Sequence, residues 1–486
     1  MKAWIWIRIV FAVTFAIFLT ADIDRISKGE DKKSNSEKEP PRYRPYLSAY
    51  IMPLYVLMVA ILLMMQRNWY VIRDTVFCLF GIFLHISAYY VVLMVLLPHL
   101  RKRFSSRVCA LLWILPNYLY VFTNMDMDLS MPLWIIPLPD VSPKLLCTIW
   151  LTGFVAVLGW KWISHLRFRR MLRKSAQPVT DVTMLRLWGE AQIHAGIVKS
   201  GDPKTRYIPL VWSEKVNTPL AVGLIRPCMD MVMPMRSYSE EELAMIFRHE
   251  VIHIGREDSW TKFLLVFCTA MCWFNPLMWV AMRRCAEDVE LSCDETVLLN
   301  AEEKKKKQYA QLLLKTAGDD RGFTTCLSAT GQAMRYRLKQ VMDAPKKSLG
   351  LLLAAGTVVL LFMTCGSLTF AYDYGTVTEL IMEEDSAAQL MVVYTDLVPE
   401  EVGAMSVEKE LYQYLSQLQV HRRTGSYTDD ESTHTVTMRY DRPNVKMTLS
   451  DRRLSVFYFS PNAREERYYL EEPVDWAILE EILTQP

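Results

Sequence analysis

The sequence predicts a polytopic α-helical membrane protein with a mainly helical (α+β) cytosolic domain and a small α+β extracytoplasmic C-terminal domain. Three observations predict this fold class. Apolar residues are gathered into long runs rather than spread evenly over the 486 residues. Segments rich in lysine and arginine alternate along the chain with a segment that has none. The last part, residues 371–486, instead shows short stretches with the alternating pattern of β-strands.

The overall composition excludes several classes of protein. Hydrophobic residues make up 51% and charged residues 22%, which excludes a disordered or collagen-like chain. A net charge of +2 is too balanced to indicate nucleic-acid binding, so no direct nucleic-acid partner is expected. None of the ten cysteines forms a CxxC pair, which argues against zinc fingers and a disulfide framework.

Six apolar runs are each close to the roughly 20 residues that a helix needs to cross a bilayer. The runs cover residues 4–21, 46–65, 75–98, 108–123, 145–162 and 349–370. The first five define an N-terminal membrane region, residues 1–163, with about five transmembrane helices. Its charged segment 22–45 is interpreted as a linker. The sixth run is the last transmembrane helix.

Basic residues predict the orientation of these helices. The segments 99–107 and 163–174 are rich in lysine and arginine, whereas 124–142 has neither. This pattern places residues 164–348 in the cytosol and residues 371–486 outside. The apolar stretch 261–281 would reverse the tail if it crossed the membrane, but Asn275-Pro276 interrupts it. We therefore expect two helices at the bilayer surface there.

The polar segments contain further helices and strands. In the cytosolic segment, a helix over 183–199 and strands over 206–212 and 219–234 precede a helix that Ser239 caps. In the C-terminal segment, a helix over 399–418 precedes a strand meander and a closing helix. The four strands of that meander cover residues 434–440, 445–450, 453–459 and 466–471.

The string Arg248-His249-Glu250-Val251-Ile252-His253 predicts the chemistry of the cytosolic domain. His249 and His253 are four residues apart, so both imidazoles leave one face of the helix a turn apart. That spacing lets two neutral ring nitrogens bind one zinc ion. Glu250 would take a proton from the attacking water and pass it to the leaving amine. The pattern predicts a zincin-type peptidase domain over residues 164–348, with one Zn²⁺ per chain.

A zinc site of this kind needs a third ligand. Glu290 and Asp294 are again four residues apart, so Glu290 can bind zinc while Asp294 supports a histidine ligand. Glu287 and Asp288 are alternatives for the third ligand. Cys293 could also bind zinc, although a small buried hydrophobe is the more common role for such a cysteine.

An ordered set of further motifs surrounds HExxH, which continues as HExxHxxRxD through Asp258. The set comprises Asn217–Pro227, Asn275-Pro276-Leu277-Met278-Trp279, Asp288-x-Glu290-x-x-Cys293-Asp294-Glu295 and Tyr309-Ala310-x-x-Leu313-Leu314. Over about residues 180–340 the chain resembles the BlaR/MecR family of integral-membrane zinc peptidases, the antirepressors of antibiotic-resistance regulation. The following transmembrane helix and an outside tail also agree with that family.

The resemblance implies three sets of site residues. The metal ligands are His249, His253 and Glu290, with Glu250 as the catalytic acid–base. The residues that support them are Asp258 and Asp294. The strand to which a substrate peptide would add is formed by Val222, Gly223, Leu224, Ile225 and Arg226.

The resemblance also implies a place and partners. We expect a multi-pass protein of the bacterial cell membrane, with the peptidase domain cytosolic and the C-terminal domain acting as an extracytoplasmic sensor. Its expected partners are the lipid bilayer, an outside ligand, and a protein substrate. That substrate would be the chain itself, a cytosolic transcriptional repressor, or both.

The tail departs from the best-known members of this family, whose sensor is a larger penicillin-binding fold. Ser406-Val407-Glu408-Lys409 matches the SxxK motif of that fold, but no KTG follows it. A sensor domain that does not bind penicillin is therefore expected.

Two alternative functions stay open at this point. A housekeeping membrane peptidase similar to Ste24 shares the HExxH and ExxxD pattern, but the order of helices and the outside tail disfavour it. A non-catalytic receptor that retains the zinc fold is disfavoured because a pure scaffold would not need Glu250. A transporter is disfavoured further, because no paired repeat is visible.

Overall fold

A computed structural model describes most of the chain. The described residues are 2–31, 43–66, 68–124, 132–138, 142–198, 206–316, 331–343, 347–382, 390–397, 404–423, 434–441, 444–459 and 463–484. Their helices are α1 (Lys2–Asp31), α2 (Ile51–Gln66), α3 (Trp69–Arg103), α4 (Ser106–Ile114), α5 (Pro143–Ser175), α6 (Val182–His194), α7 (Glu240–Gly255), α8 (Asp258–Met271), α9 (Pro276–Val297), α10 (Glu303–Thr316), α11 (Gly331–Asp343), α12 (Leu351–Thr364), α13 (Ala404–Leu415) and α14 (Trp476–Thr484).

The strands form two sheets. The first sheet lies in the HExxH segment and the second in the C-terminal segment. The strands are β1 (Trp134–Pro137), β2 (Gln177–Pro178), β3 (Leu210–Ser213), β4 (Leu220–Val222), β5 (Asp230–Pro234), β6 (Leu368–Thr376), β7 (Leu390–Thr395), β8 (Gln419–Arg423), β9 (Val436–Tyr440), β10 (Val445–Leu449), β11 (Arg453–Tyr458) and β12 (Arg464–Leu470).

Three of the described helices are long and apolar enough to cross a membrane. They are Trp6–Gly29 within α1, Trp69–Arg103 and Pro143–Ser175. The helices Ile51–Met65 and Leu351–Thr364 are apolar but shorter. Many apolar side chains on these helices face outward, such as Phe18, Met65 and Leu352. A mainly helical membrane protein with a β-containing C-terminal region is thus confirmed, whereas the order and direction of the crossings stay a prediction.

The apolar run at 108–123 differs from the predicted helix. The α-helix α4 ends at Ile114, and a 3₁₀ helix covers Leu115–Asn124. Pro116 has no N–H to continue the α-helical pattern. The Asn117 amide instead donates to the Trp113 carbonyl at 3.2 Å and to the Tyr90 hydroxyl at 2.7 Å.

The predicted linker at 22–45 also differs at its start. Helix α1 continues to Asp31, because its polar end is stabilised by ion pairs one turn apart. Asp22 pairs with Arg25 at 2.7 Å, and Asp24 pairs with Lys28 at 2.5 Å. The middle of the predicted linker, residues 32–42, lies outside the described residues.

The HExxH segment is built from a four-stranded sheet with helices packed against it. The strand order is β2-β3-β5-β4, in which β3 and β5 are parallel and the other pairs antiparallel. A buried core that includes Phe247, Ile252 and Met231 joins α7 to this sheet. The break predicted within 261–281 is present: α8 ends at Met271, and α9 begins at Pro276 with the Asn275 side chain as its cap.

The predicted substrate strand over Val222–Arg226 is interrupted. Strand β4 ends at Val222, and Arg226 already lies in a 3₁₀ turn, Arg226–Cys228. Gly223 has a φ of +138°, and a Cβ there would lie 2.7 Å from the Cys228 carbonyl oxygen. The glycine therefore closes a tight turn that brings β5 back beside β4. The prediction that all five residues form a strand was wrong.

The C-terminal segment forms an eight-stranded sheet in the order β1-β6-β8-β12-β11-β10-β9-β7. Helices α13 and α14 cover one face of this sheet. Leu411 of α13 and Leu479 of α14 share a buried core with strand residues such as Met447 of β10. The predicted meander corresponds to β9–β12. Strand β1, which lies between α4 and α5 in the chain, adds to this sheet parallel to β6. The segment between two membrane-region helices is thus part of the C-terminal sheet.

Helix α3 contacts the C-terminal sheet at one end and α9 at the other. Near its start, Arg73 lies 3.6 Å from Glu466 of β12. Near its end, Arg101 pairs with Asp288 of α9 at 2.7 Å, and the Trp113 indole donates to the same carboxylate at 3.0 Å. All of these charged groups are largely buried, so both contacts hold α3 in a defined place.

Candidate metal centre

Helix α7 presents the two histidines of the predicted metal site. Ser239 begins the helix with a capping box: its hydroxyl accepts from the Glu242 N–H at 3.2 Å, while the Glu242 carboxylate accepts from the Ser239 N–H at 2.9 Å. The cap satisfies backbone donors at the helix start and defines which residues share a face. As the spacing predicts, the rings of His249 and His253 lie side by side, with centroids 4.6 Å apart.

Three potential ligand atoms converge at these rings. The Nε2 atoms of His249 and His253 are 3.0 Å apart, and Oε2 of Glu290 lies 3.8 Å and 3.7 Å from them. Zinc bonds of about 2.0–2.2 Å in tetrahedral geometry place ligand atoms about 3.4 Å apart. Two imidazoles and one carboxylate at these separations fit a single zinc ion, and the carboxylate comes from helix α9.

The other ring nitrogen of His253 is held by a carboxylate. Asp258 lies 2.6 Å from Nδ1 of His253, and the ring is completely buried. Asp258 is brought back to the ring by a tight turn between α7 and α8, in which Glu257 adopts a left-handed conformation with φ of 58°. A carboxylate in this position can orient a histidine that binds a metal through its other nitrogen.

The other ring nitrogen of His249 has a different environment. The hydroxyl of Tyr309, on α10, lies 2.9 Å from Nδ1 of His249 and donates to Asp294 at 2.7 Å. Asp294 is 3.7 Å from that nitrogen, too far for a direct hydrogen bond. Arg337, on α11, donates two bonds of 2.8 Å to the Asp294 carboxylate. Asp294 is thus connected to His249 through a tyrosine.

Cys293 gives the site a second possible third ligand. His249, His253 and Cys293 can each place one ligand atom within 4.8 Å of the others. The Cys293 sulfur, however, lies 3.4 Å from Nδ1 of His249, whereas Glu290 approaches Nε2 of that ring. Binding through Cys293 and binding through Glu290 would therefore favour opposite nitrogens of His249.

The charges around the site favour a cation. Burial alone would lower the pKa of His249, but Cys293 and Glu290 raise this pKa to about 10. Burial alone would raise the pKa of Glu290, but Lys262, 3.1 Å away, and the histidines hold it well below its usual value. Without a metal ion, the pocket thus stabilises an added positive charge at the imidazoles. A divalent cation supplies such a charge.

Glu250, the predicted acid–base, lies on α7 between the histidines in sequence. Its side chain is buried, with 5% of the residue exposed. A carboxylate shielded from bulk water can serve as a general base.

Comparisons with known proteins match the segment that contains these residues. The family described as BlaR1 peptidase M56 matches residues 137–341. Over this range the chain is similar to the BlaR/MecR family. It is 24% identical to the regulatory protein BlaR1 of Bacillus licheniformis over 193 residues, which is 39% of this chain and 30% of that protein. It is 25% identical to the methicillin resistance MecR1 proteins of Staphylococcus aureus and Staphylococcus epidermidis over 113 residues, which is 23% of this chain and 19% of each relative.

These matches cover less than a third of the length of the curated relatives. Residues 137–341 are thus similar to a peptidase family, and the curated relatives that match them are a regulatory protein and methicillin resistance proteins. The matched range contains HExxH, Glu290 and Tyr309, and it ends just after Arg337.

The two alternative carboxylates have partners other than the histidines. Glu287 pairs with Arg284 at 3.0 Å. Asp288 is directed toward Arg101 and Trp113. Asp288 is two residues from Glu290 and therefore lies on another face of α9. Glu287 lies near the face of Glu290 and Asp294, but it pairs with Arg284 instead.

Sequence reasoning missed three residues of the site: Lys262, Tyr309 and Arg337. Lys262 had a usable signal, since a single lysine inside an apolar stretch needs a buried partner, here Glu290. Tyr309 appeared within a family motif without an assigned role. Arg337 had no assigned role at the metal site, and only the tertiary structure places it at Asp294.

Proposed function

We propose that this protein is a membrane-embedded zinc endopeptidase that cleaves itself, a cytosolic regulator, or both. The observation that carries the proposal is the convergence of His249 Nε2, His253 Nε2 and Glu290 Oε2 at 3.0–3.8 Å, with the buried Glu250 following His249 on α7. In this proposal Glu290, rather than Cys293, is the third ligand. Both Nδ1 atoms already have oxygen partners, which leaves both Nε2 atoms for the metal.

The residues of the site divide the chemistry among them. His249, His253 and Glu290 would hold one zinc ion, which supplies the Lewis acidity that activates water and polarises a peptide carbonyl. Glu250 accepts the proton of the attacking water and delivers it to the leaving amine. Asp258 and the Tyr309–Asp294 pair keep the two rings oriented.

Two other functions are less well supported. A receptor that keeps the fold only as a scaffold has no need of a buried carboxylate at position 250, because burying a charged group costs free energy. A housekeeping peptidase has no need of a separate C-terminal domain that forms a buried ion pair with helix α3. We therefore favour a peptidase whose activity responds to that domain.

Self-cleavage provides the test of the function. We expect the chain, tagged at both ends and incubated in detergent after purification, to yield fragments cut between about residues 320 and 348. A zinc chelator should stop the cleavage, and added zinc should restore it. Fragments that form equally in the presence of the chelator would contradict a zinc peptidase.

The position of the cut carries further information. Helix α11 covers Gly331–Asp343, and Arg337 is largely buried against Asp294. Peptidases bind substrates as extended chains, so a cut within α11 requires this helix to leave the metal site. The rest of the expected range, residues 320–330 and 344–348, includes residues outside the described part of the chain.

Helix α3 supports the proposed sidedness. Arg73 and Arg101 are 28 positions apart on one helix, which corresponds to about 42 Å at a rise of 1.5 Å per residue. The hydrocarbon core of a bilayer is only about 30 Å thick. This length favours a placement of their partners, Glu466 and Asp288, on opposite sides of the membrane, as the basic segments also predict.

Accessibility to a labelling reagent tests this sidedness. A cysteine introduced at position 430 should react with a membrane-impermeant maleimide in intact cells, and a cysteine at position 200 should react only after the cells are opened. The chain without an added cysteine is the control for its natural cysteines. Labelling of both positions from the same side would contradict the two-sided arrangement.

The C-terminal domain should not react with β-lactams. The lysine of an SxxK motif must lie against the serine to activate it, whereas Lys409 is exposed on α13, and Val407 and Leu411 face the core. Labelled penicillin is therefore expected to leave residues 371–486 unmodified, measured by in-gel fluorescence. A labelled band that disappears in Ser406→Ala would show that this expectation is wrong.

A further inference from the structure

We propose that Tyr309 is a positioning residue of the metal centre, which holds the zinc ligand His249 through its Nδ1 atom. This inference rests on the proposed zinc site and adds a residue to it. The Tyr309 hydroxyl lies between Nδ1 of His249 at 2.9 Å and Oδ1 of Asp294 at 2.7 Å, and only 2% of the residue is exposed. Tyr309 thus connects α10 to a ligand on α7 and a carboxylate on α9.

The direction of each hydrogen bond follows from zinc binding. When His249 binds through Nε2, the proton of the neutral imidazole must be on Nδ1, which then needs an acceptor. The Tyr309 oxygen is that acceptor, and the single phenolic proton is donated to Asp294. Arg337 donates to both oxygens of Asp294 at 2.8 Å and orients the carboxylate. The four residues therefore form one chain of donors and acceptors with a fixed direction.

Asp294 cannot replace the tyrosine. Its nearer oxygen is 3.7 Å from Nδ1 of His249, beyond hydrogen-bond distance, whereas Asp258 reaches Nδ1 of His253 directly at 2.6 Å. The only other neighbour of Nδ1 that the described residues show is the Cys293 sulfur at 3.4 Å, and sulfur is a weak acceptor. The orientation of His249 thus depends on a hydroxyl group that lies away from the metal side of the ring.

Zinc affinity tests this role without a substrate. In Tyr309→Phe the aromatic ring stays and only the hydroxyl is lost, so we expect zinc affinity to fall 10–100-fold, the usual effect of losing such a partner. The measurement is competition with a chromogenic chelator. Tyr238→Phe is the matched control, because the Tyr238 hydroxyl is buried without a hydrogen-bond partner in the described part of the chain.

Cobalt substitution and a double variant separate positioning from a general packing role. The visible absorption bands of bound Co²⁺ should shift in Tyr309→Phe and stay unchanged in Tyr238→Phe. Asp294→Asn should also lower zinc affinity. The variant that combines Tyr309→Phe with Asp294→Asn should bind zinc no more than about twofold more weakly than the weaker-binding single variant, because both substitutions break the same chain of hydrogen bonds. Arg337→Lys keeps the positive charge but not both hydrogen bonds to Asp294, so zinc affinity should fall severalfold. This variant provides a test even if Tyr309→Phe does not fold.

The outcomes are distinct. Zinc affinity of Tyr309→Phe within about twofold of wild type, unchanged cobalt bands, additive effects in the double variant, or an unaffected Arg337→Lys would overturn the role of Tyr309. A wild-type protein that binds zinc but cleaves nothing would overturn the proposed function alone. A wild-type protein that binds no zinc would overturn both.

Discussion

Glu250→Gln is expected to abolish peptide cleavage and leave zinc in place. Glutamine has nearly the same shape as glutamate but does not accept a proton at neutral pH, so the substitution removes the general base and keeps the packing. Removal of a general acid–base lowers the rate about 10²–10⁴-fold or more. Because Glu250 is buried and is not among the three converging ligand atoms, the metal content should equal that of the wild type.

The measurement pairs a cleavage assay with metal analysis of the same purified sample. Glu240→Gln is the matched control, because Glu240 lies on the same helix but is exposed in its first turn. It should cleave at the wild-type rate. Full activity in Glu250→Gln would contradict the mechanism. Loss of zinc together with activity would instead mean that Glu250 supports the metal site.

Local patterns predicted the parts of the site that come from one helix. The four-residue spacing of His249 and His253 determines a shared face, and Ser239 with Glu242 defines where that helix begins. The same rule placed Glu290 and Asp294 together on α9. Each of these predictions depends on contacts within one or two helical turns, where sequence spacing determines geometry.

Contacts between distant segments could not be predicted in this way. Tyr309 is 60 residues from His249, and Arg337 is 43 residues from Asp294. Neither distance in sequence has a preferred geometry, and a buried arginine resembles an exposed one until its carboxylate partner is known. Lys262 was more predictable, because its apolar surroundings already implied a buried partner.

The differences in the fold have similar causes. The apolar content of 108–123 was clear, but the effect of Pro116 and of the Asn117 hydrogen bonds depends on Tyr90 of another helix. The strand through Val222–Arg226 had suitable residues, but Gly223 ends it with a backbone conformation that composition does not reveal. Strand β1 pairs with residues more than 200 positions away, which no local pattern indicates.

His253→Ala is expected to have the largest effect on the metal. The ring is fully buried, contributes one of the three converging ligand atoms, and is held by Asp258 at 2.6 Å. Its removal takes away a ligand and leaves the Asp258 carboxylate without that partner. The loss of zinc affinity should therefore exceed the 10–100-fold that residues behind the ligands contribute. Metal analysis after gel filtration should detect no zinc in this variant.

Substitutions on α9 then decide the third ligand. Glu290→Gln should weaken zinc binding, because an amide oxygen is a poorer ligand than a carboxylate, yet it can still accept from Lys262 and so limit the cost of an unpaired buried charge. Glu287→Gln is the matched control, since Glu287 lies three residues away and pairs with Arg284 instead. Cys293→Ser should bind zinc as the wild type does, because its sulfur faces Nδ1 of His249. Loss of zinc in Cys293→Ser with full retention in Glu290→Gln would reverse the assignment, since His249 would then bind through Nδ1 and its contact with Tyr309 would be broken.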